Sequence, residues 1–231
     1  MTIRTHSDVP ALTADQMREV DRVMVDDLHI ELIQMMENAG RSLAELAIAR
    51  FAPRRVTVLA GPGGNGGGGM VAARHLANRG SQVSVVLSDP GARTPVPAHQ
   101  ADILGRMGVI IAEEPSPADL VVDALIGYSI RGSPTGPAAV LIEWANAQAS
   151  PILALDAPSG LDVTTGIQGT PTVQATATMT LALPKVGLLA APSVGELYLA
   201  DISVPPQVYQ RFGIVAGPLF TDSPVVRVAV P

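Results

Sequence analysis

The stretch Gly61-Pro62-Gly63-Gly64-Asn65-Gly66-Gly67-Gly68-Gly69 and the two aspartates Asp123 and Asp156 are where this sequence concentrates residue types suited to chemistry. Glycines carry no Cβ, so backbone N–H groups among them can approach an anion closely. A helix beginning beside them adds its positive end. The other use of such a stretch is a surface turn. No Lys-Ser/Thr pair follows, which excludes a Walker A loop. Gly61-x-Gly63-x-x-Gly66 matches the dinucleotide fingerprint literally, and Asp89 stands near the position expected of a ribose carboxylate. The further glycines at 67–69 push the expected helix start to Met70, later than that fingerprint requires.

Asp123 sits in VVDALIG and Asp156 in ILALDAPSGLD, each at or near the end of an apolar run. The carboxyl ends of parallel strands form the ligand crevice of an open sheet, and a carboxylate there can donate and recover a proton. Each residue also has a structural reading. Asp156 before Ala157-Pro158-Ser159-Gly160 is good turn chemistry, and Asp123 could be a buried, hydrogen-bonded carboxylate. Lys185, in Pro184-Lys185-Val186-Gly187, could touch a phosphate or stand in solvent. His6, His29, His75 and His99 do not pair at metal-ligand spacing and read as solvated or packed.

These residues need a frame. Thr13-x-x-Gln16 signals a capped helix carrying Met17, Val20, Met24 and Leu28. A second helix carries Leu32, Ile33, Met36, Leu43, Ala47 and Ile48 on one face and ends before Pro53. Strands are expected over 55–60, 82–87, 119–125, 152–156, 176–183 and 196–201. Helices are expected over 70–79, 98–107 and 136–148. Strands that alternate with helices imply βαβ crossovers, and near-continuous apolar strands imply a sheet covered on both faces. The fold class is therefore α/β, a Rossmann-like three-layer αβα sandwich with a mostly parallel sheet. One domain spans residues 1–231, with its core over 10–205. The tail 213–231 is an edge strand or a partner-binding extension.

Composition narrows the function classes. Of 231 residues, 47% are hydrophobic and 16% charged, enough to bury a full core without cross-links. There is no cysteine, so disulfides, zinc–thiolate sites and a thiol nucleophile are excluded. A net charge of −6 argues against nucleic acid as a partner. The polar segment Met1 to Pro10 has no signal-peptide core, and no apolar run is long enough for a membrane span. A cytoplasmic protein without a membrane partner is expected.

Six segments occur in the order LTADQMREVDR, MMENAGR, GPGGNGGGGMVAARHL, VVDALIG, ALDAPSGLDVTTG and TMTLALPKVGLL. Together they resemble the NAD(P)H-hydrate epimerase family, also called the YjeF N-terminal domain, from about Leu12 to about Pro205. The resemblance implies a homodimeric isomerase. It would interconvert the R and S forms of hydrated NADH and NADPH, so that a separate NAD(P)H-hydrate dehydratase repairs both. Asp156 is then the catalytic residue and contacts the hydrated nicotinamide. Gly64, Asn65, Gly66, Gly67 and Gly68 bind the nucleotide. Gly127, Tyr128, Ser129, Ile130, Arg131, Gly132 and Ser133 form a loop that closes over it. Asn65, Asp123 and Ser159 hold a potassium ion (K+).

The sequence departs from the family pattern at Gly64 and Gly68, where an asparagine and an aspartate are usual. Gly127-Tyr128-Ser129 stands where Gly-Thr-Gly is common. The fused dehydratase domain frequent in the family has no counterpart among these 231 residues. Beside the epimerase stands a second reading, a non-catalytic nucleotide-binding or interaction module on the same fold, motivated by Gly64 and Gly68. A nicotinamide-dependent oxidoreductase ranks last, since no Tyr-x-x-x-Lys or His–carboxylate pair accompanies the glycines.

Overall fold

Strand β2 (Arg55–Ala60) runs into the glycine stretch and helix α3 (Gly64–Asn78), and this junction organises the molecule. The computed structural model describes residues 3–92 and 94–230; Met1 and Thr2 of the polar amino-terminal segment and Pro231 of the tail lie outside them. Before β2 come β1 (Thr5–His6), α1 (Ala14–Arg22) and α2 (Leu32–Phe51). After α3 come β3 (Gln82–Leu87), α4 (Pro95–Arg106), β4 (Ile110–Ala112), β5 (Leu120–Ala124), α5 (Gly136–Asn146) and β6 (Ile152–Leu155). The chain then adds β7 (Ala177–Leu181), β8 (Glu196–Ala200), the short α6 (Pro206–Gln210) and β9 (Val225–Val228).

The strands form one sheet in the order β1-β9-β8-β7-β6-β5-β2-β3-β4, parallel throughout except for the antiparallel β8–β9 pair. From β2 the chain builds outward through β3 and β4, then returns to add β5, β6, β7 and β8 on the other side. The order reverses between β2 and β5, so the carboxyl ends of these two strands diverge into the crevice where ligands of open α/β sheets bind. Gly61 N–H donates to Ala124 O at 3.0 Å across that point.

The layers follow from the alternation of side chains along each strand. Val56, Val58, Val122 and Leu153 pack with Leu43, Leu46, Met70, Leu76 and Leu104 of α2, α3 and α4 on one face. Leu59 and Val121 pack with Leu141, Ile142 and Ala145 of α5 on the other. Leu197, Leu199 and Val226 meet Val20 of α1 and Val208 of α6. This is the expected three-layer αβα arrangement.

Several expectations are corrected. The third helix begins at Gly64, six residues earlier than the glycine content suggests. A Cβ on Gly66 would overlap the backbone of Gly61, on Gly67 the Met36 side chain, and on Gly69 the side chain of Ala124. The glycines bring α3 close to its neighbours, and this tertiary fit overrides their poor helix propensity. The first helix turns at Val23–Asp27 into a π-helical turn closed by Leu28 N–H to Val23 O at 3.0 Å. The wider turn rotates Leu28 off the apolar face, and it is 41% exposed. Leu32 and Ile33, in the first turn of α2, are also exposed. In the tail, β9 is a strand next to the sheet's edge, and among the described residues the two-residue β1 lies outside it.

Candidate functional site

Where β6 ends, Asp156 adopts a left-handed backbone with φ 66°. Aspartate tolerates this region better than most residues, and a single such residue turns the chain sharply. Asp156 is 4% exposed, and both of its oxygens are engaged. Oδ1 accepts from Lys185 Nζ at 2.5 Å, and Oδ2 accepts from Tyr128 N–H at 2.9 Å.

Lys185 is neither solvated nor free for a phosphate: it is fully buried. Its ammonium also donates to Thr180 Oγ1 at 3.2 Å and Leu181 O at 3.1 Å. The segment before α1 covers it. Leu12 N–H donates to Pro184 O and Val186 N–H to Leu12 O, at 2.8 and 2.9 Å, so Leu12 lies alongside Lys185 like a strand. A buried ammonium persists because a carboxylate and two further acceptors replace its water. The sequence carried a signal for this, a single charge inside the apolar run 175–192.

Asp156 opens onto a cavity of about 520 Å³ at the switch point. Met17 of α1, Met35 and Met36 of α2, and Leu181 give it apolar walls. Gly63, Gly64, Asn65 and Gly68 border it from the start of α3, and Gly127, Tyr128 and Ser129 from the loop after β5. Gly67 is the first residue of this turn to donate within the helix, to Gly63 O at 3.1 Å. The amides before it have no intrahelical acceptor, which makes the helix start suited to an anion.

Gly66 and Gly67 do not border the cavity; they are the packing glycines of α3. Of the loop 127–133, Ile130, Arg131, Gly132 and Ser133 also lie outside the lining, and Ser133 Oγ accepts from Thr170 N–H at 3.0 Å. Gly127 sits between two site residues: a Cβ there would stand 2.9 Å from Asp156 Oδ2 and 3.4 Å from Asn65 Oδ1. Asp89 is not among the residues bordering the cavity; it accepts from Gly91 and Ala92 N–H in an exposed turn.

Asp123 and Ser159 lie beneath the cavity floor, both fully buried. Ser159 N–H donates to Asp123 Oδ2 at 2.8 Å, Ser159 Oγ to Oδ1 at 2.6 Å, and Leu125 N–H to Oδ1 at 3.2 Å. Ile126 N–H donates to Ser159 Oγ at 2.9 Å, which ties this pair to the loop bordering the cavity. Burial pushes the Asp123 carboxyl up to about 6, against these neutral donors. Asn65 Nδ2 is buried without a partner. The donor set is oxygen from a carboxylate, a hydroxyl and an amide, which suits an alkali or other hard cation and not zinc. A carboxylate buried with only neutral partners fits such an ion; the unpartnered Asn65 Nδ2 is a donor and would not coordinate it, so Asn65 would contribute its Oδ1. Among the described residues no group of three His, Cys, Asp or Glu is placed to hold a metal.

One residue at the cavity was not singled out from the sequence. Asp21 of α1 borders it and accepts from Tyr128 O–H at 2.5 Å. The available signal was phase: Asp21 falls one turn after Met17, on the face that the apolar residues mark as inward.

Comparison with known proteins places these features in context. Residues 32–187 match the family model described as the YjeF-related protein N-terminus. A protein of Dehalogenimonas lykanthroporepellens named NAD(P)H-hydrate epimerase is 46% identical, over 89% of this chain and 87% of its own length. Another of that name, from Rhodopirellula baltica, is 35% identical over 89% of each chain. A bifunctional NAD(P)H-hydrate repair enzyme of Hyperthermus butylicus is 43% identical over 81% of this chain but only 38% of its own. The crystal structure of the yeast protein ynu0 superposes with a TM-score of 0.82 at 23% identity, over 95% of this chain, and shares the fold.

Proposed function

Since the chain belongs to the YjeF-related N-terminal family, we propose that it is an NAD(P)H-hydrate epimerase, an isomerase that interconverts the R and S forms of hydrated NADH and NADPH. The carrying observation is the cavity at the β2–β5 switch point, where an ion-paired carboxylate, Asp156, faces apolar walls with a helix start at its side. Relatives named for the epimerase activity align along nearly their whole length, which favours catalysis over a non-catalytic module.

Hydration leaves a hydroxyl on the ring carbon next to the ring nitrogen. Epimerisation breaks that C–O bond and re-forms it from the other face. Protonation of the hydroxyl lets it leave as water while the nitrogen lone pair forms a C=N bond; a water then adds to the opposite face and gives up a proton. Asp156 serves as the proton-exchanging group. Lys185 fixes its orientation and neutralises its charge. The apolar walls of Met17, Met35 and Met36 take the ring, and the amides of Gly64 and Asn65 face the anionic phosphates. Tyr128, through its N–H, holds the loop against Asp156.

We further propose that Asn65, Asp123 and Ser159 hold a potassium ion, which would fix the cavity floor beneath Ile126. The protein would act as a homodimer, with the exposed side chains of Leu28, Leu32 and Ile33 among the surfaces available to a partner copy. It would hand its product to a separate NAD(P)H-hydrate dehydratase, and its compartment would be the cytoplasm. Among the described residues no helix is long and apolar enough to cross a membrane. The test of the activity is incubation with purified R-hydrate, with the S-hydrate followed by chromatography. Conversion faster than in buffer supports the assignment, and no acceleration refutes it.

A further inference from the structure

Epimerisation at one carbon has two faces, yet Asp156 sits at a fixed place in the cavity with both oxygens engaged. A group that protonates the leaving hydroxyl on one face is poorly placed to take a proton from water arriving on the other. The cavity holds a second carboxylate. Asp21 projects from the last turn of α1 into the same cavity, and Tyr128 spans the interval, its N–H on Asp156 and its O–H on Asp21. The two carboxylates are thus separated by the length of a tyrosine. The side chain of threonine, the residue usual at this position in the family pattern, is too short to make that bridge.

We propose that Asp21 is a second acid–base residue of the site, exchanging a proton with the ring hydroxyl or its water at the end of Tyr128 remote from Asp156. The inference rests on the epimerase reading. In one direction protonated Asp21 gives its proton to the hydroxyl. The C–O bond breaks with its electron pair on oxygen, water leaves, and the ring nitrogen lone pair forms the C=N bond. Water then adds to that carbon from the other face, the C=N pair returns to nitrogen, and the surplus proton goes to the Asp156 carboxylate. The reverse direction exchanges the roles, and water in the cavity returns the proton between turnovers. No co-reactant is needed.

The surroundings of Asp21 suit an acid. Burial raises its pKa, while the Tyr128 hydroxyl and the Lys185 ammonium lower it and the Asp156 charge raises it again. The Lys185 ammonium also lies 5.9 Å from the centre of the Tyr128 ring, and Arg18 on α1 bears on the same hydroxyl. Two carboxyl groups in unlike environments, one ion-paired and one buried against a phenol, is the pattern that separates an acid from a base.

The experiment measures kcat and KM for R-hydrate from pH 5 to 9 in wild type, Asp21→Asn, Asp21→Glu and Tyr128→Phe. Asp21→Asn should lose about a hundredfold in kcat, the scale of one acid–base group, with KM within about threefold. Because the acid must be protonated, wild-type kcat should fall as pH rises through the Asp21 pKa; Asp21→Asn should lack that alkaline limb. Asp21→Glu should recover part of the rate. Tyr128→Phe removes a donor that favours the charged form, so the limb should move to higher pH. An Asp21→Asn enzyme with near-wild-type kcat and the limb in place would overturn the proposal alone. Should Asp21→Asn fail to fold by circular dichroism, an unmoved limb in Tyr128→Phe would overturn it. Wild-type protein without turnover would instead overturn the epimerase reading, and this proposal with it.

Discussion

Asp156 is held from three directions: a left-handed backbone at φ 66°, the Lys185 ammonium at 2.5 Å and the Tyr128 N–H at 2.9 Å. Its surroundings leave no slack. The space against its Oδ2 is kept clear by Gly127, where a Cβ would come within 2.9 Å. Gly127→Ala should therefore lower kcat/KM by roughly ten- to a hundredfold through displacement of the carboxylate by a fraction of an ångström. The melting temperature should move little, and steady-state kinetics beside a thermal melt separates the two effects. At this scale the sequence was partly legible. The strand-end aspartates were readable because residue type and position are local facts. The burial of Lys185 was hinted at only by its place in an apolar run, and its partner was not legible, because that partner lies 29 residues away and the cover comes from Leu12. Asp21 stayed hidden because an acid on a capped helix is ordinarily a solvated one.

Helix α3 decides which glycines can change. At Gly66 a Cβ would overlap the Gly61 backbone, whereas at Gly64 nothing lies within 4 Å and the backbone is not left-handed. Gly66→Ala should destabilise by about 1–3 kcal/mol, the range for an over-packed site. Gly64→Ala should stabilise by about 0.4–1 kcal/mol, because it restricts the unfolded chain at no steric expense. Urea denaturation measures both, and equal effects would refute this division of the glycines. The same helix explains why local reading misplaced its start: seven glycines in nine residues argue for a loop until the close approach they permit is known. The buried strands β2, β3, β5 and β6 were legible as apolar runs, since both faces are covered. Strand β4 was not, because it has three residues and Ile110 is 62% exposed, so no burial pattern marks it.

The whole molecule places its site by topology. Strand order reverses between β2 and β5, and the glycine stretch, the loop after β5 and the turn after β6 converge on that gap. The three-layer class followed from the alternation of strands and helices, but the order of strands did not, because no local feature of a strand names its neighbours. If potassium occupies the floor of the cavity, it stabilises the folded chain by mass action. An ion at about 100 times its Kd contributes roughly 2.7 kcal/mol. The melting temperature should rise in potassium chloride relative to choline chloride at equal ionic strength. Asn65→Ala, which removes the amide oxygen proposed as a ligand, should blunt that rise. Identical curves in the two salts would refute the ion.

Epimerisation of hydrated NAD(P)H in the switch-point cavity is proposed to run through Asp156, and one paired measurement decides it. Purified R-hydrate is given to wild type and to Asp156→Asn, and the S-hydrate is followed by chromatography. Asparagine keeps the shape and tolerates the left-handed backbone. Titration calorimetry with the hydrate checks that binding survives. Wild type should accelerate the approach to the R/S equilibrium, and Asp156→Asn should lose roughly a hundredfold or more with binding retained. Wild-type conversion undiminished in a folded, hydrate-binding Asp156→Asn protein would contradict it.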